Sequence, residues 1–298
     1  MEKNNSTSTG ILFAIVGVVL FSAKAVMVKL AYDYHIDSVS LLLFRMIFAL
    51  PFYILIAIWK KPQKPQHIKK KDYLWVFLFG FLGYYLASFF DFEGLWFIKA
   101  GLERIILFIY PTIVVILSWI FFRKKLSKKQ LIAIFITYIG VIITFWNEID
   151  TNSNNVFWGA FLIFLSAFTY ASYLVGSGWL IPKFGVIPFT AYSMMVSTFC
   201  VFIHYSIVRD FDLFNYEMPV YVLGFCMAFF STLIPSFLVS EAINRLGASV
   251  FSIVGSLGPV STIILAYFFL EEEISFIQSL GMLVVISGVY FVSRKKNK

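Results

Sequence analysis

Apolar stretches of about twenty residues recur along the chain, each closed by a short polar or charged segment, and about twenty residues suffice for a helix to cross a membrane core. Ten spans are predicted, at 10–32, 38–59, 73–95, 101–122, 129–146, 156–180, 187–208, 218–241, 247–270 and 275–293. Aromatic residues gather at several of the expected ends, among them Trp59, Tyr73, Trp75, Trp146, Trp158 and Trp179. Amphipathic rings favour the headgroup layer, so they fit the ends of membrane helices. The first run follows a short polar stretch, contains Lys24 and Lys29, and is followed by no small-residue cleavage site. It reads as a retained first span, not a signal peptide.

Charge tests this count. With the N-terminus inside and loops alternating, the inner segments hold Lys3, six lysines in 60–71, five basic residues in 123–129, Lys183, Arg245 and four in 294–298: eighteen of 24 basic residues. The outer segments hold only Lys99, Arg104 and Arg209, and eleven of the sixteen acids, including Glu271, Glu272 and Glu273. A wrong helix count would scramble this positive-inside asymmetry. Both termini are expected on the cytoplasmic side.

Composition agrees: 60% of the 298 residues are hydrophobic and 13% charged, about half the charged share of a soluble domain. The surroundings of most side chains must be lipid. The net charge of +8 is sorted by membrane side, which argues against nucleic-acid binding; the Lys-rich loop 60–71 reads as a topology determinant, with contact to anionic lipid as a further reading. Cys200 and Cys226 each lie inside an apolar run and read as small core residues, not as a disulfide or metal site.

The two halves of the chain repeat. Glu93 and Glu241 differ by 148 positions, as do Ala100 and Ala248, Pro111 and Pro259, Ser127 and Ser275, Gln130 and Gln278, and Gly140 and Gly288. Shared Pro, Gln and Gly in one register point to a duplicated unit, 1–150 and 151–298, each with five spans. An odd number of spans inserts the second unit upside down. Inverted repeats enclosing a site near the midplane are a hallmark of secondary transporters.

Depth selects the candidate site residues. Lys24 lies roughly 9 Å, and Arg45 roughly 10 Å, below the outer surface at a rise of about 1.5 Å per residue. An ionisable group at that depth is a functional candidate unless it is paired. Lys24 has a structural reading as well, snorkelling outward to pair with Asp91, while Arg45 ties down a neighbouring helix through backbone carbonyls. Asp91 and Glu93 sit about 200° apart around a helix, so at most one of them faces the site. Glu241 precedes Arg245 by four residues, the order that favours a helical ion pair. Tyr84, Tyr85 and Tyr110 offer hydroxyls to a ligand, and His204 reads as interfacial. Pro111 and Pro259, at corresponding points of spans four and nine, and Pro235 in span eight are expected to kink their helices at a gate or cavity wall. No P-loop, nucleophile elbow, HExxH or Asp-rich metal motif is present, so neither an enzyme nor direct ATP drive is indicated, and no cofactor is expected.

Several segments resemble one known family. Phe21-Ser22-Ala23-Lys24 through Lys29 is similar to the Trp-Gly…Lys signature of EamA-like proteins in the drug/metabolite transporter superfamily. Leu42-Leu43-Phe44-Arg45 resembles that family's second-span arginine motif, and Ala100-Gly101-Leu102-Glu103-Arg104 with Tyr110-Pro111-Thr112 its fourth span. Ser127…Gly140 and Ser275…Gly288 resemble its paired repeat ends. Two departures stand out: Phe21-Ser22 replaces Trp-Gly, and Arg123-Lys124-Lys125 faces Glu271-Glu272-Glu273 across the repeat. The resemblance implies ten helices around a central cavity lined mainly by spans 1, 3, 4, 6, 8 and 9, with Lys29, Arg45, Pro111 and Pro259 at family positions. It also implies alternating access and export of metabolites such as amino acids across a bacterial inner membrane, with protons as one coupling ion if Asp91 or Glu93 titrates. The other readings are a multidrug or organic-cation exporter and, from a different class, a receptor or assembly factor without transport.

Overall fold

The computed structural model describes residues 2–62, 65–98, 103, 106–123, 127–145, 155–209, 213–269 and 274–293. Of the residues weighed above, Lys99, Ala100, Gly101, Leu102, Arg104, Lys124, Lys125, Trp146, Glu271, Glu272, Glu273 and the tail from Arg294 lie outside them. The described residues form helices and turns, with no strand among them. In chain order the α-helices are α1 (Glu2–Tyr32), α2 (Ser38–Trp59), α3 (Lys70–Gly80), α4 (Ala87–Phe97), α5 (Tyr110–Phe122), α6 (Lys128–Phe145), α7 (Val156–Phe184), α8 (Val186–Val208), α9 (Met218–Ala228), α10 (Ile234–Leu246), α11 (Ala248–Val254), α12 (Leu257–Phe269) and α13 (Phe276–Ser293). Among the described residues, seven continuous helical stretches are long and apolar enough to cross a membrane, and Tyr110–Phe122 and Phe276–Phe291 are apolar but shorter. Large side chains such as Phe121, Phe135, Phe157 and Phe268 lie exposed on the outside, as a lipid-facing surface requires.

Local sequence sets the helix starts. Asp37 caps α2 by accepting from the backbone N–H groups of Val39 and Ser40, both at 3.0 Å. The repeated Ser…Gln pairs are capping boxes. Ser127 N–H donates to Gln130 Oε1 at 3.0 Å and Gln130 N–H to Ser127 Oγ at 3.2 Å, opening α6. Ser275 and Gln278 make the same reciprocal pair at 2.8 and 3.1 Å, opening α13. Single glycines join α7 to α8 and α10 to α11: Gly185 at φ +86° and Gly247 at φ +78°, both with an extended ψ that is essentially restricted to glycine.

Two helices contain a π-helical turn where the apolar pattern predicts unbroken spans. Residues Phe81–Leu86 join α3 to α4, and Phe229–Leu233 join α9 to α10. At each exit the hydrogen bond reaches back five residues, from Ala87 N–H to Leu82 O and from Ile234 N–H to Phe229 O. The expected span 247–270 is likewise divided, into α11 and α12, by a turn at Gly255 and Ser256.

Packing brings chain-distant helices together. α1 lies against α10 and α12, α2 against α8, α4 against α7, and α6 against α13. The α6–α13 contact is backbone to backbone. A Cβ on Gly140 would fall 2.6 Å from Val285 N, and one on Gly281 would fall 2.5 Å from Thr144 N and 2.7 Å from Gly140 O. Small residues permit such close approach in membranes. Because Gly140 meets Val285, Thr144 meets Gly281 and Thr137 meets Gly288, the two helices run antiparallel.

Candidate functional site

A cavity of about 110 Å³ lies among α1, α2, α4, α5, α7, α11 and the π turn at Phe81–Leu86. Its charged wall joins Lys24 of α1, Arg45 of α2 and Asp91 of α4, and one face of α4 holds the two cations in place. Ser88, Asp91 and Phe92 share that face at i, i+3 and i+4, Asp91 on the wall and the other two behind it, and each meets a cation from another helix. Lys24 Nζ on α1 donates to Asp91 Oδ2 at 2.5 Å, with the two side chains 15% and 1% exposed. Arg45 Nη2 on α2 donates to Ser88 Oγ at 2.9 Å. The Phe92 ring lies beneath both cations, 5.8 Å from Lys24 Nζ and 5.2 Å from Arg45 Cζ, within cation–π range. Arg45 is fully buried, and its Nε has no hydrogen-bond partner.

Tyrosines and backbone complete the wall. Tyr84, in the π turn, packs edge-on against Tyr173 at 4.8 Å. Tyr110 donates to Ser252 O at 3.2 Å and packs edge-on against Tyr170 at 5.5 Å. Ser22, where the family signature has glycine, shares its hydroxyl proton between Val18 O at 2.8 Å and Gly258 O at 3.1 Å, tying α1 to α12. Two glycines keep the cavity open. A Cβ on Gly83 would strike the Tyr173 ring, and one on Gly255 would strike the Tyr110 hydroxyl.

The other candidates lie elsewhere. Glu93 accepts from Ser38 Oγ on α2, on a different face of α4 from Asp91. Glu241 pairs with Arg245 Nε at 2.5 Å within α10, away from the cavity. Lys29 donates to Leu95 O at 2.8 Å and Ile98 O at 3.2 Å, so it caps the C-terminal end of α4. His204 packs edge-on against Phe89 at 4.8 Å. The prolines sit in the first turns of helical segments. Pro111 is the second residue of α5, Pro235 the second of α10 and Pro259 the third of α12. At Pro111 and Pro259, which follow turns, a missing N–H breaks no intrahelical bond, whereas Pro235 follows the π turn inside the continuous stretch Met218–Leu246 and there leaves a carbonyl of that turn without its helical donor. Arg45 ties α2 to α4 through the Ser88 hydroxyl, where backbone carbonyls are expected from the sequence.

A second cavity, about 700 Å³, opens at the end of the bundle that carries Lys183. Lys183 bridges to Asp72 at 2.7 Å and lies 4.4 Å from the centre of the Trp179 ring. The two cavities share walls. Along α5, Tyr110 faces the first and Val115 and Ser118 the second; along α7, Tyr170 faces the first and Gly178 and Trp179 the second.

Ser88, Phe92, Tyr170, Tyr173 and Gly255 escape sequence reasoning. None is charged, and their roles come from contacts between helices distant in the chain. Only a glycine such as Gly83 beside a buried tyrosine carries a local signal, that of close approach.

Comparison with known proteins gives the same architecture. A solved crystal structure 12% identical in sequence superposes with a TM-score of 0.76 over 95% of this chain and 96% of its own, which shows the fold alone. An uncharacterized transporter of Bacillus subtilis, YcbK, is 31% identical over 297 residues, covering 98% of this chain and 93% of the relative. An uncharacterized transporter of Methanothermobacter thermautotrophicus is 28% identical over 88% of this chain and 76% of its own. The profile of the EamA-like transporter family matches twice, at residues 8–146 and 157–294. With nearly the whole length accounted for in two consecutive matches, the chain belongs to the EamA-like transporter family.

Proposed function

We propose that this protein is a secondary-active or facilitative carrier that exports small metabolites, with amino acids and related compounds as the leading cargo, by alternating access. The single observation that carries this reading is the buried Lys24–Asp91 pair, set beside Arg45 on the wall of a cavity within lipid-facing helices. Ionisable groups at membrane depth are retained where they line a solute or proton path.

The reading includes ten spans arranged as two inverted five-helix units, 1–150 and 151–298, in a bacterial inner membrane with both termini cytoplasmic. Support comes from several independent places. The family profile matches once in each half. The π turns begin at Phe81 and Phe229, and α6 and α13 at Lys128 and Phe276, each pair 148 residues apart (229 − 81 and 276 − 128). α6 and α13 run antiparallel, as equivalent helices of inverted units must. The contact of α1 with α10 has its counterpart in that of α7 with α4, as a pseudo-two-fold axis requires. Labelling of introduced cysteines will place position 148 outside and positions 69–71 inside; the same face for both would overturn the inverted arrangement.

A multidrug or organic-cation exporter is disfavoured because the carboxylate on the cavity wall, Asp91, is held by Lys24. Of the two proton-coupling candidates, Asp91 lies on that wall, whereas Glu93 is engaged by Ser38. In proteoliposomes loaded with labelled amino acids and related metabolites, wild-type protein will show saturable, pH-dependent flux. Lys24→Ala and Asp91→Asn will lose the pH dependence. Full pH-dependent flux in either variant would remove the pair from coupling, and ligand binding without any flux would favour a receptor.

A further inference from the structure

The charges on the cavity wall do not balance. Among the described residues the wall carries two cations, Lys24 and Arg45, and one carboxylate, Asp91. Lys24 and Asp91 serve one another at 2.5 Å. Arg45 shares the field of Asp91 with Lys24, but its hydrogen bond goes to the neutral Ser88 Oγ, the face of Phe92 lies beneath it, and its Nε has no acceptor. A guanidinium presents a planar fork of N–H donors whose geometry matches a carboxylate. Here the fork is 2% exposed and borders the cavity, so its unmet donor cannot be satisfied by bulk water.

The geometry points to Arg45 as the anchor for a carboxylate on the cargo, and to small monocarboxylates with an apolar body as the cargo class. This sharpens the carrier reading above and rests on its premise that the cavity is the transport path. An entering monoanion brings the described wall to neutrality and gives Arg45 the acceptor it lacks. An ammonium on the same cargo would find one carboxylate, Asp91, already held by Lys24, and so would add desolvation without a ready partner. The rest of the wall suits a short hydrocarbon body: Val18, Phe21, Leu107 and Phe251 stand beside the charges, and the hydroxyl protons of Ser22, Ser166 and Tyr110 on the same wall are taken by backbone carbonyls. Deaminated carboxylates should therefore bind better than the α-amino acids that share their skeleton.

The test compares 3-methylbutanoate, valine and valinamide, which share one carbon skeleton, as ligands of the full-length protein in nanodiscs at matched ionic strength. A ligand that binds the folded state raises its apparent stability, so thermal unfolding reports binding without requiring transport. The expected order is 3-methylbutanoate first, valine weaker, and no shift with valinamide. Arg45→Gln should weaken 3-methylbutanoate binding by about tenfold or more, the usual scale for loss of a charged hydrogen-bond partner. The ligand series is read on the unaltered protein, so it decides the matter even if the variant does not fold. Valinamide binding as well as the carboxylate, valine binding more tightly, no response to 3-methylbutanoate, or full response in folded Arg45→Gln would each overturn the assignment. A carboxylate that binds but is not carried across proteoliposomes would sink the carrier reading while leaving Arg45 as its anchor.

Discussion

Asp91→Asn will destabilise the folded protein by about 3–5 kcal/mol, the usual effect of removing one partner from a buried ion pair. The cause is not the lost attraction alone. Lys24, with its side chain 15% exposed, would keep its charge inside the bundle with only the Phe92 ring beside it. Replacing both groups together, as Lys24→Met/Asp91→Leu, removes the stranded charge, so the double variant should recover most of the loss. Chemical unfolding of the two singles and the double in nanodiscs gives the coupling directly. A single variant as stable as the wild type would show that the pair contributes nothing to the fold. A double variant no better than the singles would show that these positions matter through shape and not through charge.

Gly281→Val will cost about 3 kcal/mol or more, at the upper end of overpacking penalties, because the new side chain meets backbone as well as the Thr144 hydroxyl, and backbone cannot turn aside. Its Cβ would lie 2.5 Å from Thr144 N and 2.7 Å from Gly140 O, so α6 and α13 would have to separate along their contact. Gly258→Ala is the matched control. The nearest atoms to its Cβ are Ser22 Oγ and Val18 Cγ1, both at 3.7 Å, which is ordinary van der Waals contact. Thermal unfolding should therefore fall steeply for Gly281→Val and hardly move for Gly258→Ala. Equal stability of the two variants would contradict the tight α6–α13 seam.

Features decided by local periodicity or by cost were legible in the sequence. Apolar runs place some helices closely, as α8, expected at 187–208, is Val186–Val208, but α1 begins at Glu2, eight residues before the expected start at 10, because polar residues continue its first turns. Depth singles out Lys24 and Arg45, and helical geometry separates Asp91 from Glu93, which the structure puts on Lys24 and Ser38 respectively. The repeated Ser and Gln are visible as identities, but their meaning as caps appears only with the reciprocal bonds at Ser127 and Ser275. Other features leave no trace in hydropathy. The break at Gly255 and Ser256 and the π turns run through unbroken apolar composition, because hydropathy measures what a residue dislikes and not how the backbone turns. The partner of Arg45 was equally hidden, since Ser88 is one serine among many and only the packing of α2 on α4 selects it.

The π turn at Phe81–Leu86 also governs where the charged wall points. It holds one residue more than α geometry would, so Ser88, Asp91 and Phe92 sit about 100° in azimuth from the phase that α3 alone would dictate. Regularising the turn to α geometry at constant length would leave these side chains in the sequence and swing all three away from Lys24 and Arg45, whereas deleting one residue together with the bulge would keep their phase. The winding of the backbone across this one turn thus orients the wall as much as the identity of the charged residues composes it.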